Sequence, residues 1–168
     1  DYKAGSALPD VYGGINTSLN AFGFDFSVVF SYQLGGKGYD YTYAGLMNSA
    51  QSAGYNFHND ILNAWTPENT NTDIPKLNAK ATTNNSVSTR FLTSASYLSL
   101  QNISLGYTLP NKWLNRLGCQ SVRLYIVADN LWLLSARKGY DPRTNWNGES
   151  NYNYSALRTV SGGLTIKF

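Results

Sequence analysis

Large apolar and small polar residues alternate along several segments of the chain. The clearest segment covers residues 22–33 and begins FGFDFSVVFSY. One set of alternate positions holds Phe22, Phe24, Phe26, Val28, Phe30 and Tyr32, and the other holds Gly23, Asp25, Ser27, Val29 and Ser31. A period of two residues predicts a β-strand with one apolar face. Its length of about 11 residues, with aromatic residues at both ends, is typical of a tilted strand that spans a membrane.

The same alternation predicts four more strands, near residues 11–19, 97–109, 120–132 and 158–168. In the last of these, Val160, Leu164, Ile166 and Phe168 share one face, and Thr159, Ser161, Gly163, Thr165 and Lys167 share the other. Arg123 and Asp129 lie opposite the apolar stripe of 120–132, as expected where only one face meets lipid. The strand at 97–109 has aligned apolar residues only in its second half, and Gly13-Gly14 weakens the pattern of 11–19.

The connections between these strands alternate between short and long. Those at 20–21 and 110–119 are short, whereas 34–95 and 133–157 are long. Outer-membrane barrels alternate short periplasmic turns with long extracellular loops. The sequence therefore predicts an all-β fold, with about five C-terminal antiparallel strands of a large transmembrane β-barrel and extracellular loops at 34–95 and 133–157. Short helical turns are predicted within HNDILNAW and at residues 114–117.

Composition narrows the classes of function. The 168 residues are 14% aromatic and 14% charged, and their net charge of +3 is scattered, so no basic stripe indicates a nucleic-acid partner. Cys119 and His58 are the single residues of their kinds, which argues against an internal disulfide, a metal site or a cofactor. The opening Asp1-Tyr2-Lys3, without an initiator Met or a signal peptide, predicts that the natural protein starts upstream.

Aromatic residues of the two long loops are the candidate contacts for a substrate or a protein partner, because rigid rings provide large contact areas. The candidates are Tyr39, Tyr41, Trp65, Tyr140 and Trp146, within a wider set that includes Tyr43, Tyr152 and Tyr154. The alternative is that these loops pack on themselves.

Charged residues of the first loop and of the strands are further candidates for a function. Asp60, Glu68 and Asp73 accompany Trp65 in the first loop, and a glycosidase needs two placed carboxylates. Loop carboxylates are usually solvated, so we predict no enzyme activity. On the polar faces of the strands, Asp25, Arg123, Asp129 and Lys167 are candidates to line a solute path or to contact a plug, with simple solvation as the alternative.

Seven segments, taken in chain order, carry a resemblance to a known family. They are GSALPDVYGGINTSL, FDFSVVFSYQLGGKGYDY, AWTPENTNTDIPKL, SYLSLQNISLGYTLP, LYIVADNLW, KGYDPR and GGLTIKF. Together they resemble the C-terminal region of SusC/RagA-type TonB-dependent outer-membrane transporters of Bacteroidetes, over nearly the whole chain and in the order of the family.

The resemblance implies a 22-stranded barrel with a plug domain in the cell outer membrane. Such transporters import glycans or peptides together with a SusD-like surface lipoprotein, and TonB drives them. The plug, the TonB box and the signal peptide are absent from these 168 residues, so contact with TonB would lie in the absent N-terminal region. Phe168, at the end of the chain, resembles the signal by which barrel proteins are recognised for assembly. An ordinary interfacial aromatic residue is the compatible alternative.

Two other readings stay open at this point. A soluble carbohydrate-binding β-sandwich also uses short strands and exposed aromatic residues, and a passive porin shares the strand pattern. Five strands cannot close a barrel in lipid, because open edges leave backbone groups unpaired. The isolated chain is therefore expected to need further strands.

Overall fold

The computed structural model describes residues 3–50, 54–81, 83, 86–114, 118–144, 147–150 and 152–168. In chain order its strands are β1 (Val11–Ala21), β2 (Phe24–Leu34), β3 (Lys37–Asp40), β4 (Leu92–Ser94), β5 (Tyr97–Thr108), β6 (Ser121–Ser135), β7 (Glu149–Ser150) and β8 (Thr159–Lys167). The short helices are α1 (Tyr41–Leu46) and α2 (Asn111–Leu114), and 3-10 turns cover Asn59–Asn63, Thr89–Phe91 and Pro142–Thr144. No helix in the described part of the chain is long and apolar enough to cross a membrane.

The larger sheet has five strands in the order β1-β2-β5-β6-β8, and every neighbouring pair is antiparallel. The predicted five-stranded antiparallel sheet is therefore confirmed. We call the end that carries the short connections at 22–23 and 109–120 the turn end of this sheet. The opposite end, from which the two long connections leave, is the loop end.

One face of the large sheet is apolar on all five strands. Directly opposed residues share a face, so the pairs Ile15↔Phe30, Phe26↔Leu105, Leu105↔Ile126 and Leu124↔Leu164 trace one continuous apolar surface. Its side chains are widely exposed, as Leu19 at 63% and Val160 at 60% illustrate. Phe24 packs against Tyr107 at the turn end, with ring centroids 4.5 Å apart, while Tyr32 and Trp132 lie at the loop end.

A β-bulge at Gln101 explains why only half of β5 follows the predicted alternation. Val29 pairs with Asn102 and Phe30 pairs with Leu100, so Gln101 is an extra residue. The extra residue shifts the phase of the strand by one position, which places both Leu100 and Ile103 on the apolar face. The side chain of Gln101 donates to Ser31 Oγ (2.8 Å) on the polar face.

The first hairpin turns two residues later than the sequence pattern predicts. Phe22 and Gly23 form the connection, with φ of 54° and 85°, and Phe22 is therefore not part of strand β2. Two-residue hairpins favour positive φ at both central positions because that backbone twist matches the twist of the strands. Gly23 has a second reason to be glycine, since a Cβ there would lie 2.8 Å from the carbonyl oxygen of Thr108.

The opposite face of the large sheet carries polar side chains that bond between strands. The Ser27 and Ser104 hydroxyls lie 2.8 Å apart, and Asn102 donates to Asp129 Oδ1 (2.7 Å). Arg123 on β6 reaches over β5 to Asp25 on β2, with Nε 2.9 Å from Oδ1. This span requires Gly106 beneath it, because a Cβ at Gly106 would overlap the Asp25 carboxylate and the Arg123 guanidinium.

The long connections contain more structure than the sequence predicts. The first contributes β3, β4 and α1, and the second contributes β7, so that a three-stranded sheet in the order β4-β3-β7 stands beside the loop end. Met47, Ile61 and Phe91 form its buried cluster, with Tyr39, Tyr43, Ala44 and Ile74 packed against it. We call this unit the loop module. Strand β6 also runs to Ser135, beyond its predicted end at residue 132.

Other boundaries differ slightly from the prediction. The helical turn expected within HNDILNAW is the 3-10 turn Asn59–Asn63. Leu114, the first residue of the helical turn expected at 114–117, ends the described helix α2 (Asn111–Leu114), and residues 115–117 lie outside the described part of the chain.

We predict that Gly23→Ala destabilises the protein by about 2–3 kcal/mol, because a Cβ there adds a backbone clash to the cost of a positive φ. Gly118→Ala is the matched control, since Gly118 has a φ of 67° but no described atom within 4 Å of its Cβ position. It should cost only about 1 kcal/mol. Urea unfolding of the full-length protein in detergent measures both, and equal losses would contradict the prediction.

Candidate functional site

The two long connections are joined to each other within the loop module. Tyr39 of β3 pairs in parallel with Glu149 of β7, and the Tyr39 amide donates to the Gly148 carbonyl (2.7 Å). The Tyr152 amide donates to Thr42 Oγ1 (2.8 Å). These bonds connect segments about 110 residues apart in sequence, so the two loops form one structural unit.

A buried ion pair strengthens this junction. Asp40 is 5% exposed, and its Oδ1 accepts from the Tyr43 amide (2.9 Å) at the start of α1. Its Oδ2 accepts from Arg137 Nη1 (2.9 Å) of the second loop. The Arg137 guanidinium lies 3.7 Å from the centroid of the Tyr43 ring, which is the geometry of a cation–π contact.

Tyr43 extends these contacts toward the only histidine. The Tyr43 hydroxyl donates to Asp60 Oδ2 (2.8 Å), and burial together with the nearby Asp60 carboxylate raises the pKa of Tyr43. His58 packs edge-on against the Tyr43 ring, at 4.9 Å between centroids. The Asp60 amide donates to His58 Nδ1 (3.2 Å), and Asp60 Oδ2 lies 3.3 Å from the same nitrogen. When Nδ1 accepts from the amide, an imidazole N–H is left at Nε2.

A cleft of about 390 Å³ opens at this junction. Both loops contribute to its walls, and the volume is within the range of small-ligand sites. The lining residues are Asp40, Thr42, Tyr43, Leu46, His58, Arg137, Lys138, Gly139, Tyr140, Asp141, Thr144, Ser150, Tyr152, Asn153 and Tyr154. We call it the loop cleft.

Arg143 fixes the second loop to the wall of the large sheet. Its guanidinium forms a fork with the buried Asp141 carboxylate, with Nε 2.9 Å from Oδ1 and Nη2 2.7 Å from Oδ2. Nη1 also donates to Ser99 Oγ (2.9 Å) and to Asn130 Oδ1 (3.2 Å), both on the large sheet. Burial raises the pKa of Asp141, but the hydrogen bonds from Arg143 outweigh burial, and the net pKa lies below its usual range.

Three of the aromatic residues predicted as contacts lie close to the junction. Tyr39 stacks on Tyr41, with centroids 4.5 Å apart, and packs edge-on against Phe91. Tyr140 is 3% exposed and lines the loop cleft. Its hydroxyl lies over Gly38 and has no hydrogen-bond partner among the described residues. Burial raises the pKa of Tyr140.

The other predicted contacts lie elsewhere. Trp65 is 38% exposed, and its amide donates to the Ile74 carbonyl (2.9 Å), away from the lining of the cleft. Trp146 lies outside the described residues. Phe168 follows β8 at the turn end and is 82% exposed.

Two of the three acidic candidates of the first loop border one pocket. Asp60 is bonded to Tyr43, and Asp60 and Asp73 border a second, more open pocket that Glu68 does not line. No group of three or more His, Cys, Asp or Glu residues that could hold a metal ion occurs in the described part of the chain.

The pattern of the sequence misses the residues that organise the cleft. The sequence indicates Asp141-Pro142 as a dipeptide that fixes loop geometry, but it does not indicate Arg137, Asp40 or the pairing of Asp141 with Arg143, although Asp141 and Arg143 lie in the segment KGYDPR. The local signal for this pair is two residues of opposite charge separated by one proline. The Arg137–Asp40 partnership had no such local signal, because 97 residues separate the two.

Comparisons with known proteins agree with this architecture. The chain is 34% identical to TonB-dependent receptor P3 and 28% identical to TonB-dependent receptor P26, both of Formosa agariphila, over 98% of this chain. It spans 17% of the length of these relatives. No protein-family model matches the chain.

Solved structures give the same result at the level of the fold. The chain matches the RagAB peptide transporter with a TM-score of 0.80 and 28% identity, over 98% of this chain and 18% of that one. It matches the RagAB peptide importer in its 'closed-closed' state with a TM-score of 0.81 and in its 'open-open' state with 0.76.

The chain therefore has the fold of a segment of the wall of a large membrane β-barrel, with a folded loop module at one end. More narrowly, the similarity to SusC/RagA-type TonB-dependent receptors that the sequence motifs indicated is confirmed.

We predict that the Asp141–Arg143 anchor weakens in acid. The folded-state pKa of Asp141 is lowered, so its contribution to stability is full above the unfolded pKa of about 4 and is lost as pH falls through the folded value. Hydrogen-exchange protection factors of residues 137–144 in the full-length protein should therefore fall below about pH 4. Asp141→Asn should lower them already at neutral pH, and unchanged wild-type factors at pH 3 would contradict the prediction.

Proposed function

We propose that this chain forms the C-terminal strands of an outer-membrane TonB-dependent transporter, and that its work is binding and gating rather than bond chemistry. The observation that carries the proposal is the apolar face, which is continuous over five strands although its side chains are widely exposed. An exposed apolar surface of this extent in water would favour association. In lipid it is the expected outer surface of a barrel.

The orientation follows from the connections. Short turns at one end and long loops at the other are the pattern of bacterial barrels, whose long loops face outward. We therefore assign the loop module to the extracellular side and the Phe22–Gly23 turn to the periplasmic side. The polar face, with the Asp25–Arg123 pair and Lys167, faces the lumen in this arrangement.

The partners and substrates are proposed from the relatives. A SusD-like lipoprotein would cover the loop module, TonB would act through a region outside this chain, and glycans or peptides would be the cargo. The similarity to a peptide transporter supports a peptide cargo without excluding a glycan. Phe168, exposed at the turn end, is our candidate for a barrel-assembly signal; Phe168→Ala should then lower the amount of protein in the outer membrane.

Neighbouring residues on β8 test the assignment of the two faces. Leu164 pairs with Leu124 on the apolar face, whereas Ser161 pairs with Val127 on the opposite face. We expect Leu164→Arg to destabilise the folded protein, because the charge would face lipid; the cost of such a charge rises from about 0–1 kcal/mol near the interface to about 2–4 kcal/mol at the midplane. Ser161→Arg should be tolerated. Heat-modifiable electrophoretic mobility of outer-membrane preparations reports folding of both variants, and equal tolerance would overturn the assignment.

Uptake in cells tests the function itself. Deletion of the gene should abolish uptake of the cognate oligopeptide or oligosaccharide, and a protonophore should do the same because TonB-dependent import needs the proton gradient. The lipoprotein should co-purify with the full-length protein. Uptake that persists after the protonophore would indicate a passive porin, and a protein recovered without detergent would indicate the soluble β-sandwich.

A further inference from the structure

In the loop cleft, the carboxylate acceptors are already bonded within the protein, whereas several of the donors are not. Its two carboxylates are both occupied by donors of the protein itself. Asp40 accepts from the Tyr43 amide through one oxygen and from Arg137 through the other. Asp141 accepts from the Arg143 amide and Nε through Oδ1 and from Nη2 through Oδ2.

The positively charged groups of the lining are less fully occupied. Arg137 spends one N–H on Asp40 and stacks on Tyr43, and its other guanidinium N–H groups have no acceptor among the residues that the structure describes. Lys138 is exposed and has neither an ion pair nor a hydrogen bond within the described ranges. An ammonium group carries three N–H donors, so Lys138 adds unpaired donors to the lining of the cleft.

His58 also lines the cleft. Its Nδ1 accepts from the Asp60 amide and lies 3.3 Å from Asp60 Oδ2, and its Nε2, which carries the proton when Nδ1 accepts, has no hydrogen-bond partner among the described residues. The Tyr43 ring fixes the imidazole edge-on at 4.9 Å, so its direction is set before any ligand binds. A fixed donor loses little entropy when it forms a hydrogen bond.

Aromatic rings complete the walls. Tyr152 and Tyr154 line the cleft and are 66% and 96% exposed, so their faces are accessible from the mouth. Exposed rings beside unpaired donors are suited to a ligand that has a flat or apolar body and one acceptor-rich end.

We propose that the loop cleft is a binding site for a carboxylate-bearing ligand, with Lys138 and the free face of Arg137 at the carboxylate, His58 Nε2 as a third donor, and Tyr152 and Tyr154 against the body of the ligand. A carboxylate accepts several hydrogen bonds, and charge-assisted bonds to Arg and Lys are the stronger kind. The proposal rests on the proposed import function only for the role that the binding site would have in the cell. The carboxylate could come from a short peptide or from an acidic sugar.

Binding to the purified full-length protein in detergent, measured by isothermal titration calorimetry, tests the site and distinguishes the two sources. One probe pair is N-acetylated tetra-alanine as the free acid and as the C-terminal amide. The other pair is a galacturonic acid trisaccharide and a galactose trisaccharide. We expect the acid of one pair to bind at least about tenfold more tightly than its neutral partner, the difference that one charge-assisted hydrogen bond gives.

The variant Lys138→Gln should remove most of this preference for the acid. Lys76→Gln is the matched control, because Lys76 is an exposed lysine of the first loop that does not line the cleft. The proposal would be overturned if neither acid bound more tightly than its neutral partner, or if Lys138→Gln left that difference in affinity unchanged. If cells failed to import the cargo but the purified protein still preferred the acid, only the proposed transport function would be contradicted. The two proposals can therefore fail separately.

Discussion

The register between strands is the constraint on which the rest of this structure depends. Because side chains alternate between faces, a slip of one residue between any two strands would move apolar groups to the polar face and charges to the apolar face. The pairs Ile15↔Phe30 and Leu124↔Leu164 show that the phase is kept from the first strand to the last. The bulge at Gln101 belongs to the same constraint, since one extra residue keeps Leu100 and Ile103 on the same side.

Two-residue periodicity made the large sheet predictable, because it is a local signal that needs no knowledge of partners. The places where it misled have local causes as well. Phe22 continues the apolar pattern but adopts a positive φ in the turn, and the first half of β5 breaks the pattern because of the bulge. Neither departure changes which face of the sheet is apolar. A shift of two residues preserves the alternation, and the extra residue of the bulge brings Leu100 and Ile103 to the same face.

The loop module could not be predicted in this way. Strands β3, β4 and β7 have only two to four residues, which is too short for a periodic signal, and β3 pairs with β7 across more than a hundred residues of sequence. Aromatic composition did indicate the right region, because Tyr39, Tyr41 and Tyr140 lie at its junction. The chemistry of the cleft depends on which donors are already used, and only coordinates reveal that Asp40 is satisfied while Lys138 is not.

The glycine beneath the Asp25–Arg123 pair makes three strands depend on one another in evolution. A side chain at position 106 would displace the charged ends of Asp25 and Arg123, which are the atoms nearest to its Cβ position. Positions 25, 106 and 123 should therefore vary together among relatives rather than independently.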